Sequence, residues 1–308
     1  MSVAVEARNV VKRYGQQLAV KGVHLQIQEG ECFGIVGSPG SGKTSLLRMM
    51  YCGSPLTSGE LYVLGLNVKQ NARKIKSQIG VMPEQNCLDD HLTVLDNLLV
   101  YATFFNISPK QAKTQARELL RFTHLEEFDG DLVESLNLEI QRRLCLARSL
   151  VSHPKIIFLD EPMIHLKPQS RVWVREAIVR LKNQQKTLVM TSGHFSEIQL
   201  LCDRILMIDK GEILCEGAPQ ELIQRYIGHE VVEFFLNAED IEYYVEKIRH
   251  QFEYQVINNR LRIFVKSGQA SRGLIGPIES SHMLVRKASL EDVFLLLAGY
   301  ELNSRDIQ

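Results

Sequence analysis

An eight-residue glycine-rich segment constrains the fold of this chain more than any other feature. It reads Gly37-Ser38-Pro39-Gly40-Ser41-Gly42-Lys43-Thr44 and matches the pattern G-x-x-x-x-G-K-[ST] at every fixed position. The apolar run Cys32–Val36 precedes it and the helical run Ser45–Met50 follows it, which is the context that the pattern requires. The segment therefore predicts a strand and a helix joined by a phosphate-binding loop.

The residue types in this loop suit a polyphosphate ligand. Glycines let backbone amides turn inward around an anion, and the N-terminus of the following helix adds partial positive charge. We expect Lys43 to reach the terminal phosphates and the Thr44 hydroxyl to bind Mg²⁺. The loop residues predicted to bind the nucleotide are Gly37, Ser38, Pro39, Gly40, Ser41, Gly42, Lys43, Thr44 and Ser45.

A second apolar strand ends in two carboxylates. The run Ile156–Asp160 reads as a buried strand, and Glu161 follows it directly. We expect Asp160 to hold the magnesium shell and Glu161 to polarise the attacking water as general base. The sequence therefore predicts a nucleotide-hydrolysing site with Thr44 and Asp160 as the metal-binding residues.

The first 228 residues alternate short apolar runs with helical patterns, which is typical of α/β architecture. A helical insertion occupies about residues 86–152, where no comparable strand run occurs. The remaining predicted strands of this domain are Leu188–Thr191, Ile205–Ile208 and Glu212–Cys215.

Residues 229–308 predict a small α+β accessory domain. The final helix starts at Ser289 with Asp292 three residues on, which resembles a capping box. The other predicted elements are the strand Val231–Leu236, the helix Ala238–His250 and a hairpin of Gln255–Asn258 with Arg260–Lys266.

Charge and hydropathy exclude some classes of protein. The chain has 308 residues with 36 basic and 36 acidic side chains, which argues against a nucleic-acid partner bound by bulk charge. The uncharged stretch Asn97–Pro109 is too short for a membrane span. Because Met1–Val11 lacks a signal-peptide core, we expect a cytosolic location.

One apolar stretch of the helical insertion allows two interpretations. Leu98–Tyr101, followed by Phe104 and Phe105, is rich in large apolar side chains. It predicts either ordinary helix core or part of a groove for a partner, because exposed aromatic patches mark interfaces.

The motifs together resemble the ATP-binding subunit of an ABC transporter along nearly the whole chain. The segment Val11–Gly15 is similar to the family segment whose aromatic residue stacks on adenine, so Tyr14 is the candidate. The segment Ile79–Gln85 resembles the loop that senses the nucleotide and meets the membrane subunit, with Glu84 and Gln85 at its end.

The tail Lys287–Phe294 is similar to the C-terminal extension of one exporter branch, which includes drug-resistance and nodulation-factor (lipo-oligosaccharide) export ATPases. The resemblance implies a P-loop NTPase cassette with a helical subdomain, bound ATP and Mg²⁺, and dimerisation with itself or with a second ATPase subunit. It also implies an integral membrane permease as partner and a peripheral location on the cytoplasmic face of the membrane.

The chain departs from this family at its signature. The family sequence Leu-Ser-Gly-Gly-Gln, which closes on the partner's ATP, corresponds here to Leu136-Asn137-Leu138-Glu139-Ile140. Both glycines are absent, and no glycine occurs from Asp131 through Ser192. Asn137 can still cap a helix, but Glu139 would face a phosphate, and like charges ~4 Å apart repel by roughly 1–4 kcal/mol.

Three further departures from the family concern positions used for dimer closure and ATP turnover. Lys167 stands where the family has the aspartate that crosses the dimer, and Glu84 replaces the sensing glutamine, with Gln85 beside it. An alignment without gaps places Gly193 at the position of the family's switch histidine. A shift of one residue would bring His194 to that position; without such a shift, His194 is a surface residue.

These changes divide the expected functions. The residues for nucleotide and magnesium binding remain, whereas those for closure and turnover of a dimer are changed. We therefore expect an exporter ATPase subunit whose homodimer hydrolyses ATP slowly. The alternative is a nucleotide-binding regulatory or scaffold subunit that pairs with a more complete ATPase subunit.

Overall fold

The computed structural model describes residues 2–257, 259–266 and 283–299. The chain divides into two compact units, Met1–Ile213 and Leu214–Gln308. The boundary predicted from the sequence, at residue 228, lies further along the chain and stays a prediction. In the described ranges no helix has the length and apolar character needed to cross a membrane.

The described residues of the first unit form two sheets and seven α-helices, and β10 crosses the C-terminal boundary of the unit. The strands are β1 (Val3–Tyr14), β2 (Gln17–Gln28), β3 (Cys32–Val36), β4 (Ser58–Val63), β5 (Leu66–Asn67), β6 (Ile79–Met82), β7 (Ile156–Asp160), β8 (Thr187–Ser192), β9 (Arg204–Asp209) and β10 (Glu212–Gly217). The helices are α1 (Lys43–Met50), α2 (Ala72–Lys76), α3 (Val94–Thr103), α4 (Pro109–Thr123), α5 (Leu138–Ser149), α6 (Pro168–Asn183) and α7 (Phe195–Leu201).

The apolar runs predicted as strands form the central sheet, whose order is β10-β9-β3-β8-β7-β6. The strands β6, β7, β8, β3 and β9 are parallel neighbours, and β3 and β7 are buried along their whole length. Both have the predicted bounds, and β8 and β9 extend one residue further at each end. Because parallel strands end at one edge of the sheet, the loops after β3, β7 and β8 meet there.

A second, antiparallel sheet has the order β2-β1-β4-β5. Its buried side chains join those of α1 and of the central sheet in one hydrophobic core, which includes Phe33, Ile35, Leu46 and Leu61. This core holds α1, and therefore the loop before it, against the central sheet.

The predicted helical insertion contains α3, α4 and α5 around a separate apolar cluster that includes Val94, Leu98, Ala116 and Leu144. The apolar stretch of residues 98–105 was predicted to be either helix core or part of a partner groove, and its residues differ in exposure. Leu98 is buried in the cluster, whereas Val100 is exposed and Phe104 keeps 74% of its surface exposed. The stretch therefore contributes both to the helix core and to the surface.

The second unit includes α8 (Pro219–Tyr226), β11 (Glu230–Phe235), α9 (Ala238–Ile248), β12 (Glu253–Ile257), β13 (Arg260–Val265), β14 (Met283–Lys287) and α10 (Leu290–Leu297). Its sheet has the order β12-β13-β11-β14, and the neighbours are antiparallel. The predicted hairpin is present as β12 and β13, although Asn258 of its turn lies outside the described residues. The capping box of Ser289 and Asp292 is confirmed.

A cluster of ion pairs connects α10 to this sheet. Glu233 is buried and lies 3.2 Å from the Arg262 Nε and 2.6 Å from an Arg286 nitrogen, and Arg286 also lies 2.6 Å from Asp292. Although burial opposes it, hydrogen bonds from Arg286 and Ser289 lower the pKa of Asp292. The charges of this cluster are therefore matched within the unit.

Candidate nucleotide-binding site

The phosphate-binding loop connects β3 to α1 and depends on glycine for close approaches. A Cβ on Gly37 would lie 2.0 Å from the Ile208 carbonyl oxygen. A Cβ on Gly42 would lie 2.2 Å from the Ala19 carbonyl oxygen, and Gly42 has a φ of +105°. Larger residues at these two positions would displace the backbone, so the loop requires glycine there.

The Lys43 ammonium lies inside the loop. It is buried, and its Nζ donates to the carbonyl oxygens of Gly37 and Ser38, both at 2.9 Å. Burial lowers the pKa of Lys43, although the carboxylates of Glu161 and Asp160 oppose this shift. The ammonium is thus held by groups that phosphate oxygens can replace.

Asp160 ends β7 beside the loop and is fully buried. Its Oδ1 accepts hydrogen bonds from Thr44 Oγ1 at 3.0 Å and from Thr191 Oγ1 at 2.7 Å. Its Oδ2 is buried without a hydrogen-bond partner in the part of the chain that the structure describes. Mg²⁺ prefers such oxygen ligands, so Thr44 and Asp160 fit a magnesium ion bound together with phosphates.

Glu161 places a second carboxylate at the same edge of the sheet. Its backbone has a φ of +45°, which is uncommon for this residue type, and its amide donates to Thr191 Oγ1 at 2.9 Å. Its Oε2 accepts from the Gly193 amide at 3.1 Å, and its Oε1 lies 3.9 Å from Lys43 Nζ. Burial raises the pKa of Glu161, although the Gly193 amide and Lys43 oppose the shift.

A groove of about 250 Å³ runs along the loop and reaches Tyr14. The groove is lined by Tyr14, Gln17, Ala19, Gly40, Ser41, Gly42, Lys43, Thr44 and Ser45. Tyr14 is 47% exposed, and Lys12 Nζ lies 4.6 Å from the centroid of its ring. Tyr14 therefore lines the groove with one face of its ring covered by the ammonium.

The predicted sensing loop follows β6. Glu84 is half-buried and Gln85 is exposed. The carbonyl oxygens of Pro83 and Glu84 accept hydrogen bonds from Arg142 of α5, at 2.8 and 2.9 Å. Arg142 was not predicted as a site residue, because in the sequence it stands beside Gln141 and Arg143 and looks like any polar residue of a helix.

The signature segment forms a capped helix start. The Asn137 side chain accepts from the Ile140 amide at 3.0 Å, which confirms the predicted cap, and Leu138 is 43% exposed. Glu139 accepts hydrogen bonds from Ser170 of α6 and from Arg143. The Ser170 hydrogen bond is the largest cause that lowers the pKa of Glu139. The carboxylate is thus charged and engaged within the chain.

The structure places Gly193 against Glu161, where a Cβ on Gly193 would lie 3.8 Å from Glu161 Oε1. The His194 side chain is exposed at the start of α7, and the His194 amide donates to Ser192 Oγ at 3.0 Å. Lys167 is exposed directly before α6. Lys43, Thr44, Asp160 and Glu161 therefore meet at one site, which Gly193 also adjoins.

A phosphate-binding loop, an Asp-Glu pair after a parallel strand and a helical insertion define the class of P-loop ATPase cassettes. The chain belongs to the ABC transporter family, and the sequence profile of that family, described as ABC transporter, matches residues 20–164. The predicted fold class and family are thereby confirmed, and the chain is an ABC-type ATP-binding subunit.

Relatives and solved structures agree with this assignment. A protein named Nod factor export ATP-binding protein I from Burkholderia lata is 34% identical over 298 residues, covering 97% of this chain and 98% of the relative. The protein of the same name from Mesorhizobium japonicum is 33% identical over 302 residues, covering 98% of this chain and 88% of the relative. A dimeric ATP-binding cassette in a post-hydrolysis state with ADP and Pi has a TM-score of 0.65 and 28% identity, covering 70% of this chain and 98% of that structure.

Proposed function

We propose that this chain is the ATP-binding subunit of an exporter and works with a separate membrane permease at the cytoplasmic face of the membrane. The observation that carries the proposal is the assembled site of Lys43, Thr44, Asp160 and Glu161, which suits Mg²⁺ and ATP. The relatives named for Nod factor export make a lipo-oligosaccharide the first cargo class to test. The permease, rather than this chain, would contact that cargo.

The exposed Phe104, directly after α3, supports contact with a permease. The Phe104 ring lies 6.0 Å from the Tyr101 ring in an edge-on arrangement. Arg148 has its guanidinium carbon 5.0 Å from the Tyr101 centroid and donates to the Cys87 carbonyl oxygen just after the sensing loop. A partner that binds Phe104 would therefore act on residues connected to the nucleotide-sensing loop.

The signature segment supports slow hydrolysis by a homodimer. An ABC dimer completes each ATP site with the signature of the opposite subunit, and here that segment offers Leu138 and Glu139 instead of glycines. We infer that the chain works best beside a second, more complete ATPase subunit. Such a subunit would supply its own signature to the site that contains Glu161.

One observation favours a second candidate function, a nucleotide-binding regulatory or scaffold subunit without turnover of its own. Glu139 accepts hydrogen bonds from Ser170 and Arg143, so its carboxylate is engaged by residues of its own chain. ATP bound by such a subunit would stabilise assembly rather than be consumed.

ATP turnover should be measured for the purified chain, for the chain with its permease, and for Glu161→Gln in both preparations. We expect little turnover by the chain alone and ATP binding that survives Glu161→Gln. Fast hydrolysis by the homodimer that Glu161→Gln abolishes would contradict the impaired signature. Nucleotide-dependent assembly without turnover in any combination would support the scaffold function instead.

The role of His194 needs its own variant, because the exposed ring permits either alternative. His194→Ala should be compared with wild type in the most active preparation. A loss of turnover of about tenfold or more would assign the switch role to His194. Unchanged turnover would show that His194 is a surface residue without this role, and Gly193 would then occupy the switch position.

A further inference from the structure

Arg142 joins two segments of the ATP site from the inside of the protein. Only 2% of its surface is exposed. Its Nη1 donates to the carbonyl oxygens of Pro83 and Glu84, and its Nη2 donates to the carbonyl oxygen of Glu161 at 3.0 Å. One side chain of α5 thus contacts both the sensing loop and the residue that carries the general base.

The guanidinium group suits this double contact. Its donors form a planar and rigid fork, so the two ends can bind different segments at a fixed separation. A lysine has its donors on one nitrogen atom and cannot reproduce that geometry. Removal of Arg142 would take away the donor that these three carbonyl groups share.

The contact with Glu161 affects a backbone that is already in an uncommon conformation. The Glu161 amide is held by Thr191 Oγ1 and its carbonyl oxygen by Arg142, so both sides of this φ +45° residue are fixed. Backbone torsions restrict the rotamers that a side chain can adopt. The position of the Glu161 carboxylate thus depends on Arg142 as well as on the Gly193 amide.

We propose that Arg142 is a positioning residue for ATP hydrolysis, which links the sensing loop to the Glu161 carboxylate. A shift of the Pro83 and Glu84 carbonyl oxygens would move the guanidinium and, through it, the backbone of Glu161. Arg142 itself is too deeply buried to touch substrate and acts through these carbonyl groups. The proposal rests on the ATPase function of the chain.

Arg142→Lys and Arg142→Leu test this role in the full chain with its permease. We expect kcat to fall by about 10- to 100-fold in both variants, because misplacement by about 1 Å can cost that much. The affinity for MgATP and the KM should change by less than about threefold, because Arg142 does not contact the phosphate loop. Arg180→Lys is the control for the substitution type, since the side chain of Arg180 on α6 is 40% exposed and its guanidinium carbon lies 5.6 Å from the centroid of the Phe122 ring of α4.

Hydrogen–deuterium exchange supplies a readout that does not need turnover. In wild type, MgATP should slow exchange in the phosphate loop and in peptides covering 79–85 and 156–166. In Arg142→Lys the phosphate loop should keep its protection, while the other two peptides lose most of theirs. If wild type itself shows no hydrolysis, the proposed turnover fails, yet the exchange experiment still tests the link.

Two results would overturn the proposal. One is unchanged kcat in Arg142→Lys together with normal protection of the sensing loop. The other is a parallel loss of MgATP affinity, kcat and melting temperature, which would give Arg142 a merely structural role. Should Arg142→Leu fail to fold, Arg142→Lys alone decides, because it keeps the charge in the buried position.

Discussion

The Glu139 carboxylate accepts a hydrogen bond from the Ser170 hydroxyl, and this bond ties the first turn of α5 to the first turn of α6. Arg143, one helical turn further along, donates to the same carboxylate and lies 4.8 Å from the Trp173 ring centroid. The residue predicted to stand in place of a signature glycine is therefore part of a cluster between two helices. Its replacement should change both the surface of the chain and the contact between these helices.

Restoring both glycines tests that cluster. We expect Leu138→Gly with Glu139→Gly to raise ATP-dependent dimerisation and turnover by about tenfold, which corresponds to ~1.4 kcal/mol. The physical reason is the removal of a carboxylate and of side-chain bulk from a surface that should meet phosphate. Dimerisation can be followed by analytical ultracentrifugation and turnover by phosphate release.

The control for that experiment is Leu138→Ala with Glu139→Gln, which removes the charge but keeps a hydrogen-bond acceptor for Ser170. We expect a smaller gain in this variant, because the amides of the helix start remain covered. If both variants behave as wild type, the signature segment does not limit turnover.

Asp160→Asn should remove the magnesium dependence of ATP binding. The substitution keeps an oxygen near Thr44 and Thr191 but takes away the charge of the buried carboxylate. We expect the affinity for ATP with Mg²⁺ to fall at least about tenfold, while binding without Mg²⁺ stays the same or improves. Isothermal titration calorimetry in magnesium and in chelator measures both; equal losses in the two buffers would contradict the metal role.

Glu161→Gln should stabilise the nucleotide-free protein at neutral pH. Burial raises the pKa of Glu161 in the folded state, so the folded protein holds this proton more tightly than the unfolded chain. The cost of the buried charge is present above the folded-state pKa and disappears as the pH falls through it. We expect a rise in melting temperature on the order of 2 °C at pH 8, shrinking towards pH 4.

Glu60→Gln on β4 is the control, because Glu60 is an exposed carboxylate of the antiparallel sheet that lies 3.7 Å from Arg8. It should leave the melting temperature nearly unchanged at each pH. An equal rise for Glu60→Gln, or a gain for Glu161→Gln that does not depend on pH, would argue against a raised pKa at Glu161.

Tyr14→Ala should weaken ATP binding, whereas Tyr14→Phe should not. Stacking of a base on an aromatic ring contributes about 1–3 kcal/mol, which predicts a loss of roughly 5- to 150-fold in affinity. Inorganic triphosphate lacks the base, so its binding should not respond to the substitution. Tyr62→Ala is the matched control, because Arg8 lies over that ring away from the groove.

Local patterns predicted the part of the fold that carries the site. The runs Cys32–Val36 and Ile156–Asp160 are apolar throughout because both faces of a central parallel strand are buried, and their bounds were predicted correctly. The twelve-residue strands β1 and β2 were not predicted. Shifts in their register interrupt the alternation of apolar and polar residues, as between Ala7 and Val10.

In the site, too, local motifs could be predicted from the sequence, whereas contacts between distant residues could not. The phosphate loop and the Asp-Glu pair are contiguous motifs, so Lys43 and Asp160 could be found from spacing alone. The three hydrogen bonds of Arg142 join residues that are 19 to 59 positions apart in the chain, and no local pattern encodes them. The engagement of Glu139 by Ser170 depends on the packing of α5 against α6 and was equally beyond a sequence argument.

Glu139 and Arg142 lie three residues apart on α5, yet one contacts α6 and the other contacts the sensing loop and Glu161. Substitutions in the first turn can change what the subunit offers a neighbouring chain while its internal hydrogen bonds persist. A helix built in this way permits division of labour between paired subunits. One subunit can lose the contacts that it makes with the ATP of its neighbour and still retain the hydrogen bonds that order its own ATP site.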